Sequence, residues 1–364
     1  MRLVNRTRIA VAGAGLIGQA HIKRAVDDDS ITLSAIVDPG PVGPELAANY
    51  AVPLYPSLHE LFAADKPDGV ILATPNQLHV EGALECIAAG VPVLVEKPVA
   101  DSLAGAQRIV DAGRAAGVSV LTGHHRQHSP IMTTAKAIIA SGRLGRVVGI
   151  VGTAIFYKPD LYFDDNGGWR RKPGGGPTML NLIHEVNQIE SLIGDIVAVQ
   201  AFSSNAARGF PVEDTAAIIF QFAGGALGTF LLSDTAASAR SWEHTSQENK
   251  EYPTYDEDSL HIAGTLGSLS IPTMRMKVYD GTPSWWEPFT ESTETVERTD
   301  PLSNQIAHFA AVIRGDEQPI VSGEAGMKAL RVVEAVREAA RTGARVDIAS
   351  DEPAVHAQPI GKGA

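Results

Sequence analysis

Cysteine is almost missing from this chain of 364 residues: Cys86 is the only one, so no disulfide forms within the chain and no Cys-x-x-Cys centre exists. Its position in the helix-like run 81–89 marks it as a buried structural thiol rather than a nucleophile. Positive charge is also short, with 30 Lys and Arg against 42 Asp and Glu and a net charge of -12. Binding a nucleic-acid backbone needs clustered positive charge, so an extended nucleic-acid footprint is excluded. No apolar run approaches the roughly 20 residues that span a bilayer. The basic N-terminus reaches its first strand without a signal-type segment, so the expectation is a soluble, cytoplasmic protein with no membrane partner. No Gly-x-Ser-x-Gly elbow, Walker A sequence or His-Glu-x-x-His pair occurs, which leaves hydrolytic chemistry without support.

Short apolar segments alternating with helical ones are abundant in the first third. Strands are expected at 9–12, 32–37, 69–73, 91–95 and 119–122, with helices over 18–26, 43–50, 58–64, 77–89 and 103–116. Strands joined by helical crossovers form a parallel sheet. Beyond Pro130, a helix over 131–141, a strand over 147–156 and a helix over 178–193 precede strands at 198–203, 215–222, 225–233, 261–264, 267–271 and 274–279. This second pattern predicts an α+β domain with an open, largely antiparallel sheet. The polar, acidic stretch 287–300 reads as a solvated loop, followed by helices over 303–314 and 323–342 and a short strand over 345–348. The expected division is an α/β dinucleotide-binding domain over 1–124, a substrate and oligomerisation domain over 125–350, and a tail over 351–364.

The most specific motif is Gly13-Ala14-Gly15-Leu16-Ile17-Gly18, lying between a strand and a helix. Its glycines permit a tight turn, and the amides of the following helix can hold a dinucleotide pyrophosphate. Asp38 ends the next strand, twenty residues after Gly18, where a carboxylate accepts hydrogen bonds from the adenosine ribose. With Pro39-Gly40 after it, this acid favours NAD over NADP, because no basic residue compensates a 2'-phosphate.

Two further motifs follow strands. Thr74-Pro75-Asn76, with His79 close behind, and Glu96-Lys97-Pro98 both fall where parallel strands expose functional loops. Lys97 can orient a substrate oxygen, and Glu96 can hold the lysine or a cofactor hydroxyl. Farther on, helical spacing puts Asn181, His184, Asn187 and Gln188 on one face, opposite Met179, Ile183, Val186 and Ile189. His184 can exchange a proton near neutral pH, as alcohol oxidation requires. Candidate substrate contacts are Arg126, Tyr157, Lys158, Tyr162, Trp169 and Arg170, with Trp242-Glu243-His244 as a weaker loop contribution. The cluster His124, His125 and His128 lacks a metal-site spacing and an acidic or cysteine ligand, so it reads as pocket lining or a hydrogen-bonding element, and no metal is expected.

In their order, the glycine turn, the run 73–79, Glu96-Lys97-Pro98 and Gly174-Gly175-Gly176 through His184 resemble the glucose-fructose oxidoreductase, inositol dehydrogenase and MocA family, over about residues 8–348. The resemblance implies a Rossmann domain followed by an α+β domain with an open sheet, and an NAD- or NADP-dependent oxidoreductase of sugars, inositols and related polyols. It equates Lys97 with the family's catalytic lysine and His184 with its catalytic histidine, and implies a homodimer or homotetramer. Aspartates often stand four residues before and three after that histidine, whereas this chain has Leu180 and Asn187. Two alternatives therefore stay open: a dehydrogenase of a cyclic dihydrodiol or carboxylated ring, with Arg126 or the histidine cluster recognising an anion, and a noncatalytic NAD-binding sensor or scaffold.

Overall fold

A computed structural model describes residues 6–349; the expected tail over 351–364 lies outside the described residues. The chain divides into two compact units. The first runs to Ser129 and takes in Thr299–Leu330; the second comprises Pro130–Arg298 and the chain from Arg331.

In the first unit, strands β1 (Thr7–Ala12), β2 (Ile31–Val37), β3 (Leu54–Tyr55), β4 (Gly69–Leu72), β5 (Val93–Val95) and β6 (Val120–Thr122) form one sheet in the order β3-β2-β1-β4-β5-β6. Every pair is parallel. The crossovers contain α1 (Leu16–Asp27), α2 (Gly43–Tyr50), α3 (Leu58–Ala64), α4 (His79–Ala88) and α5 (Leu103–Ala116). Near-continuous apolar strands suit a sheet covered on both faces. Ile9, Val11, Ile36, Ile71 and Leu94 accordingly share one core with Ile22 of α1. Cys86 lies in that helical layer fully buried, and burial pushes its thiol pKa up, which suits the expected structural role. β3 has only two residues, too few to register as a periodic pattern.

The observed division differs from a chain cut once near residue 124. Helix Pro301–Arg314 returns to the first unit and inserts Ile306, Phe309 and Ala310 into the core beside Ile9 and Ile71. The approach is so close that a side chain on Gly69, at the start of β4, would collide with Ile313. Asp300 caps this helix by accepting from the Leu302 amide at 2.9 Å and also accepts from Arg24 of α1 at 2.5 Å. Val321 then accepts from the Thr122 amide at 3.0 Å, beside β6.

In the second unit, α6 (Pro130–Ala140) precedes β7 (Val147–Ile155), and α7 (Ile183–Ile193) precedes β8 (Ile196–Ser204), β9 (Thr215–Phe222) and β10 (Leu227–Ser233). Strands β11 (Leu260–Gly264), β12 (Gly267–Ile271), β13 (Arg275–Val278), β14 (Thr290–Thr293) and β15 (Val346–Asp347) complete a sheet ordered β14-β13-β12-β11-β7-β10-β9-β8-β15. Among the described strands of this second sheet, only the β7 and β10 pair is parallel; the others are antiparallel. Alternating residues bury one face, including Ile218, Phe220 and Leu232, and expose the other. β14 falls inside the acidic stretch expected to be a loop. There Thr290 pairs with Val278, and Glu291 bridges Lys277 at 3.1 Å, so the charges decorate an edge strand.

Among the described residues, no helix is long and apolar enough to cross a membrane. The dependence of the first unit on its returning helix is testable. Phe309→Ala is expected to lower stability by about 3–5 kcal/mol in denaturant titration, as for a large buried side chain; a loss below about 1 kcal/mol would remove that helix from the core.

Candidate active site

The C-terminal ends of β1, β2, β4 and β5 bring most of the expected cofactor residues to one edge of the first sheet. After β1 the chain turns at Gly13, whose φ of 100° suits glycine, and the Gly13 amide donates to Val37 O at 2.8 Å. A side chain at Gly13 would meet Ala73 O at 2.5 Å, and one at Gly18 would strike Gly13 O, whereas nothing lies within 4 Å of the position a side chain would take at Gly15. α1 begins with no side-chain cap and no acidic residue in its first turn. Its first amides, next to the exposed Leu16 and half-buried Ile17, therefore fit a dinucleotide pyrophosphate. Asp38 accepts from the Ala14 amide and the Gly40 amide, both at 2.6 Å, so the acid at the end of β2 is locked beside the glycine turn.

Thr74, Pro75 and Asn76 form the turn after β4. The Thr74 hydroxyl is buried with no hydrogen-bond partner among the described residues, a polar atom in keeping with a ligand at this edge. His79 and Glu96, two of the expected cofactor contacts, are held by protein partners. The His79 ring is fully buried, with Nδ1 2.8 Å from Pro98 O and Nε2 2.9 Å from Thr74 O, so it engages the loops themselves. Glu96 is also buried. Its Oε1 lies 2.8 Å from His21 Nε2, and its Oε2 accepts from the Lys97 amide at 3.1 Å. Burial alone would raise this carboxyl, but the His21 hydrogen bond and the charges of His21, Lys97 and His125 outweigh it and hold the pKa at about 2. Lys97, half-buried, follows directly after this anchored acid.

The turn after β6 carries the histidine cluster. His124 is 1% exposed, and burial followed by the nearby Lys97 charge lowers its pKa to about 3. His125 keeps part of its surface open, yet the packing round its ring and the Arg126 charge lower it to about 4. Arg126 itself is buried in the same turn, and the His128 ring lies 5.0 Å from that of His308. These groups have a structural setting within the first unit. Among the described residues, no group of three or more His, Cys, Asp and Glu is arranged to hold a metal ion.

The second unit holds His184, Asn181 and, of the other expected substrate contacts, Tyr157, Lys158, Tyr162, Trp169 and Arg170, whereas Lys97 and Arg126 belong to the first. The expected continuous helix over 178–193 is divided: Thr178–Leu182 is a wide turn with i to i+5 bonding, and α7 follows. Of the expected polar face, His184, Asn187 and Gln188 are buried and Asn181 is half-buried. Ahead of the wide turn, a side chain at Gly176 would strike Glu213, whose Oε1 accepts from the Thr178 amide at 2.9 Å. The wide turn directs Asn181 to Lys158, whose Nζ donates to Asn181 Oδ1 at 2.6 Å and lies 4.8 Å from the Tyr162 ring centroid. Arg170 stacks on that ring at 4.1 Å and on Trp169 at 5.2 Å. Tyr157 is half exposed against Arg208, which binds Asp234 at 2.9 Å and donates to Lys158 O at 2.7 Å. Trp242 departs from the expected loop role: it is buried in a short helix and donates to Glu248 at 2.9 Å, while His244 contacts Phe156, Tyr252 and Tyr255.

His21, Arg208, Glu213 and Asp234 carry no local sequence signal for their roles. Each acts through a partner distant along the chain; Glu96, for example, lies 75 residues from His21, so no local spacing signals the pair.

Residues 7–124 match an oxidoreductase family described by its NAD-binding Rossmann fold, and residues 132–270 match the GFO/IDH/MocA C-terminal domain. The chain is 30% identical over 298 residues to 1,5-anhydro-D-fructose reductase from Ensifer adhaerens, covering 80% of this chain and 83% of that protein. It is 36% identical over 156 residues to 4-carboxy-2-hydroxymuconate-6-semialdehyde dehydrogenase from a Sphingobium strain, covering 42% of this chain and 50% of that one. The fold is shared with the WlbA dehydrogenase of Bordetella pertussis, solved with NADH and UDP-GlcNAcA: TM-score 0.75, 24% identity, 95% of this chain and 100% of that chain.

The depressed histidine pKa has a measurable consequence. The folded chain keeps His124 neutral down to about pH 3, whereas the unfolded chain protonates it near 6.5, so the unfolded state gains the extra proton as pH falls between these values. Stability is expected to fall from about pH 6.5 to 4, by at most about 1.4 kcal/mol per pH unit for one group. His124→Asn should flatten part of that slope in denaturant titrations, and an unaltered slope would assign the effect elsewhere.

Proposed function

The chain belongs to the GFO/IDH/MocA oxidoreductase family, and from that membership we propose that it is an NAD-dependent dehydrogenase or reductase acting on a secondary alcohol or ketone of a sugar, inositol or related polyol. The observation that carries the reading is Lys97, held at the end of β5 by an anchored acid on the same sheet edge as an uncapped glycine turn. NAD, when bound, supplies the acceptor or donor of the hydride. Lys97 orients the reacting oxygen, and His184 takes its proton as the alcohol is oxidised or returns it in reduction. Asn181, linked to Lys158, positions the polyol by hydrogen bonding, but as a neutral amide it does not supply the carboxylate charge absent at Leu180 and Asn187. Tyr157 and Trp169 offer aromatic surface to a ring substrate.

Lys97→Met and His184→Asn are each expected to lower kcat by about 100-fold or more in a screen of sugars, inositols and sugar acids followed by nicotinamide absorbance. Wild-type turnover in either variant would cancel that residue's role. NAD binding without turnover of any substrate in the screen would favour the sensor reading. Asp38 supports NAD over NADP, since a 2'-phosphate would meet its carboxylate. NAD is expected to bind at least about tenfold tighter in parallel calorimetric titrations, and tighter NADP binding would reverse the assignment.

A homo-oligomer is also part of this reading. Val151, Phe202, Ile219 and Leu231 protrude from neighbouring strands of the second sheet, exposed by 51%, 71%, 53% and 41%. An apolar sheet face of this kind is a natural self-association surface. Light scattering is expected to give a dimer or tetramer, reduced to the 38.4 kDa monomer by Phe202→Glu with Ile219→Glu; a monomeric wild type would end this part of the proposal.

A further inference from the structure

His79 is the first residue of α4, and its ring is fully shielded from water. Both ring nitrogens face backbone carbonyls, Nδ1 toward Pro98 O at 2.8 Å and Nε2 toward Thr74 O at 2.9 Å. A carbonyl oxygen has no proton to donate, so two hydrogen bonds here require two ring N–H groups. Neutral imidazole carries one; imidazolium carries two. The carbonyls belong to different loops, one holding Thr74, Pro75 and Asn76 after β4, the other following Lys97 after β5.

We propose that His79 is a positioning residue that joins these two loops when protonated and releases one of them when neutral. The proposal rests on reading the loops as the cofactor edge of an NAD-dependent enzyme. The charged groups acting on the ring are Glu96 at the end of β5 and Asp101 in the turn before α5, both favouring imidazolium. Burial opposes them and keeps the ring's pKa below its ordinary 6.5. Once the ring is neutral, one nitrogen presents a lone pair to a carbonyl oxygen at hydrogen-bond distance, and repulsion replaces a hydrogen bond. The Thr74 turn and the Lys97 turn then lose their common tie. Protonation restores it, with no group entering the site.

The test uses the full-length protein and NAD itself. Calorimetric titration from about pH 8 down to the lowest pH at which the protein stays folded is expected to show affinity rising about tenfold once the ring is protonated. His79→Asn, which offers one donor group, should give a flat profile at the weaker level. Nitrogen NMR of the labelled wild type at the acid end of that range, with His79 identified by its loss in the Asn or His79→Gln variant, should show both ring nitrogens protonated. A single N–H at that pH, or a pH slope that survives substitution, overturns the proposal. If the Asn variant fails to fold, the Gln variant and the wild-type spectrum decide between these outcomes. Neither measurement requires turnover. Failure of every alcohol to react would strike the hydride-transfer reading and leave the His79 assignment standing; a surviving slope in an active enzyme would do the reverse.

Discussion

A carboxylate withdrawn from water organises the first unit. An unpartnered buried anion costs several kcal/mol, so Glu96 must be met on every side. His21 meets it from α1, the Lys97 amide meets it from its own loop, and Gly123 lies so near that a side chain there would come within 2.8 Å of the carboxyl carbon. One group thereby ties the helix after the glycine turn to the end of β5, with the end of β6 packed against it. Freed from that anchor, Lys97 would be a flexible chain on a surface loop. Held by it, the residue has a defined origin from which to reach a bound oxygen.

The second unit meets a similar demand through a network. Lys158 follows β7, Asn181 lies in the wide turn before α7, and Asp234 follows β10. Arg208 connects two of these elements by reaching both Asp234 and the Lys158 carbonyl. Burying this much polarity is tolerable because donors and acceptors come from several elements at once. Burial raises the Asp234 pKa despite the Lys158 and Arg208 charges. The wide turn redirects Asn181 toward Lys158, a course that regular helical spacing would not supply.

Much of this arrangement is legible in the sequence because local rules govern it. Gly13 and Gly18 must be glycine where backbone passes against backbone, and Asp38 must end a strand to reach the turn. The alternation of strands and helices likewise exposes the parallel sheet. Less is legible wherever a contact joins distant parts of the chain. Nothing near Glu96 in sequence announces its partner His21, 75 residues away. The two carbonyls facing His79 are backbone atoms, which carry no sequence signature. The polar side of α7 shows in the helical spacing, but the burial of His184, Asn187 and Gln188 does not. Thr290–Thr293 is hidden by its acidic surroundings, which mark a solvated edge as readily as a loop.

The return of Pro301–Arg314 to the first core has a temporal consequence. A ribosome releases the glycine turn, Lys97 and all six strands of the first sheet before it has made Phe309. The nascent Rossmann unit must wait through the synthesis of β7 to β14 with an apolar gap where Ile306 and Phe309 belong. Domains that fold from the N-terminus as they emerge usually finish in order. Here the first to begin is completed only after most of the other has been made, so the segment that binds the cofactor matures late, although it is encoded early.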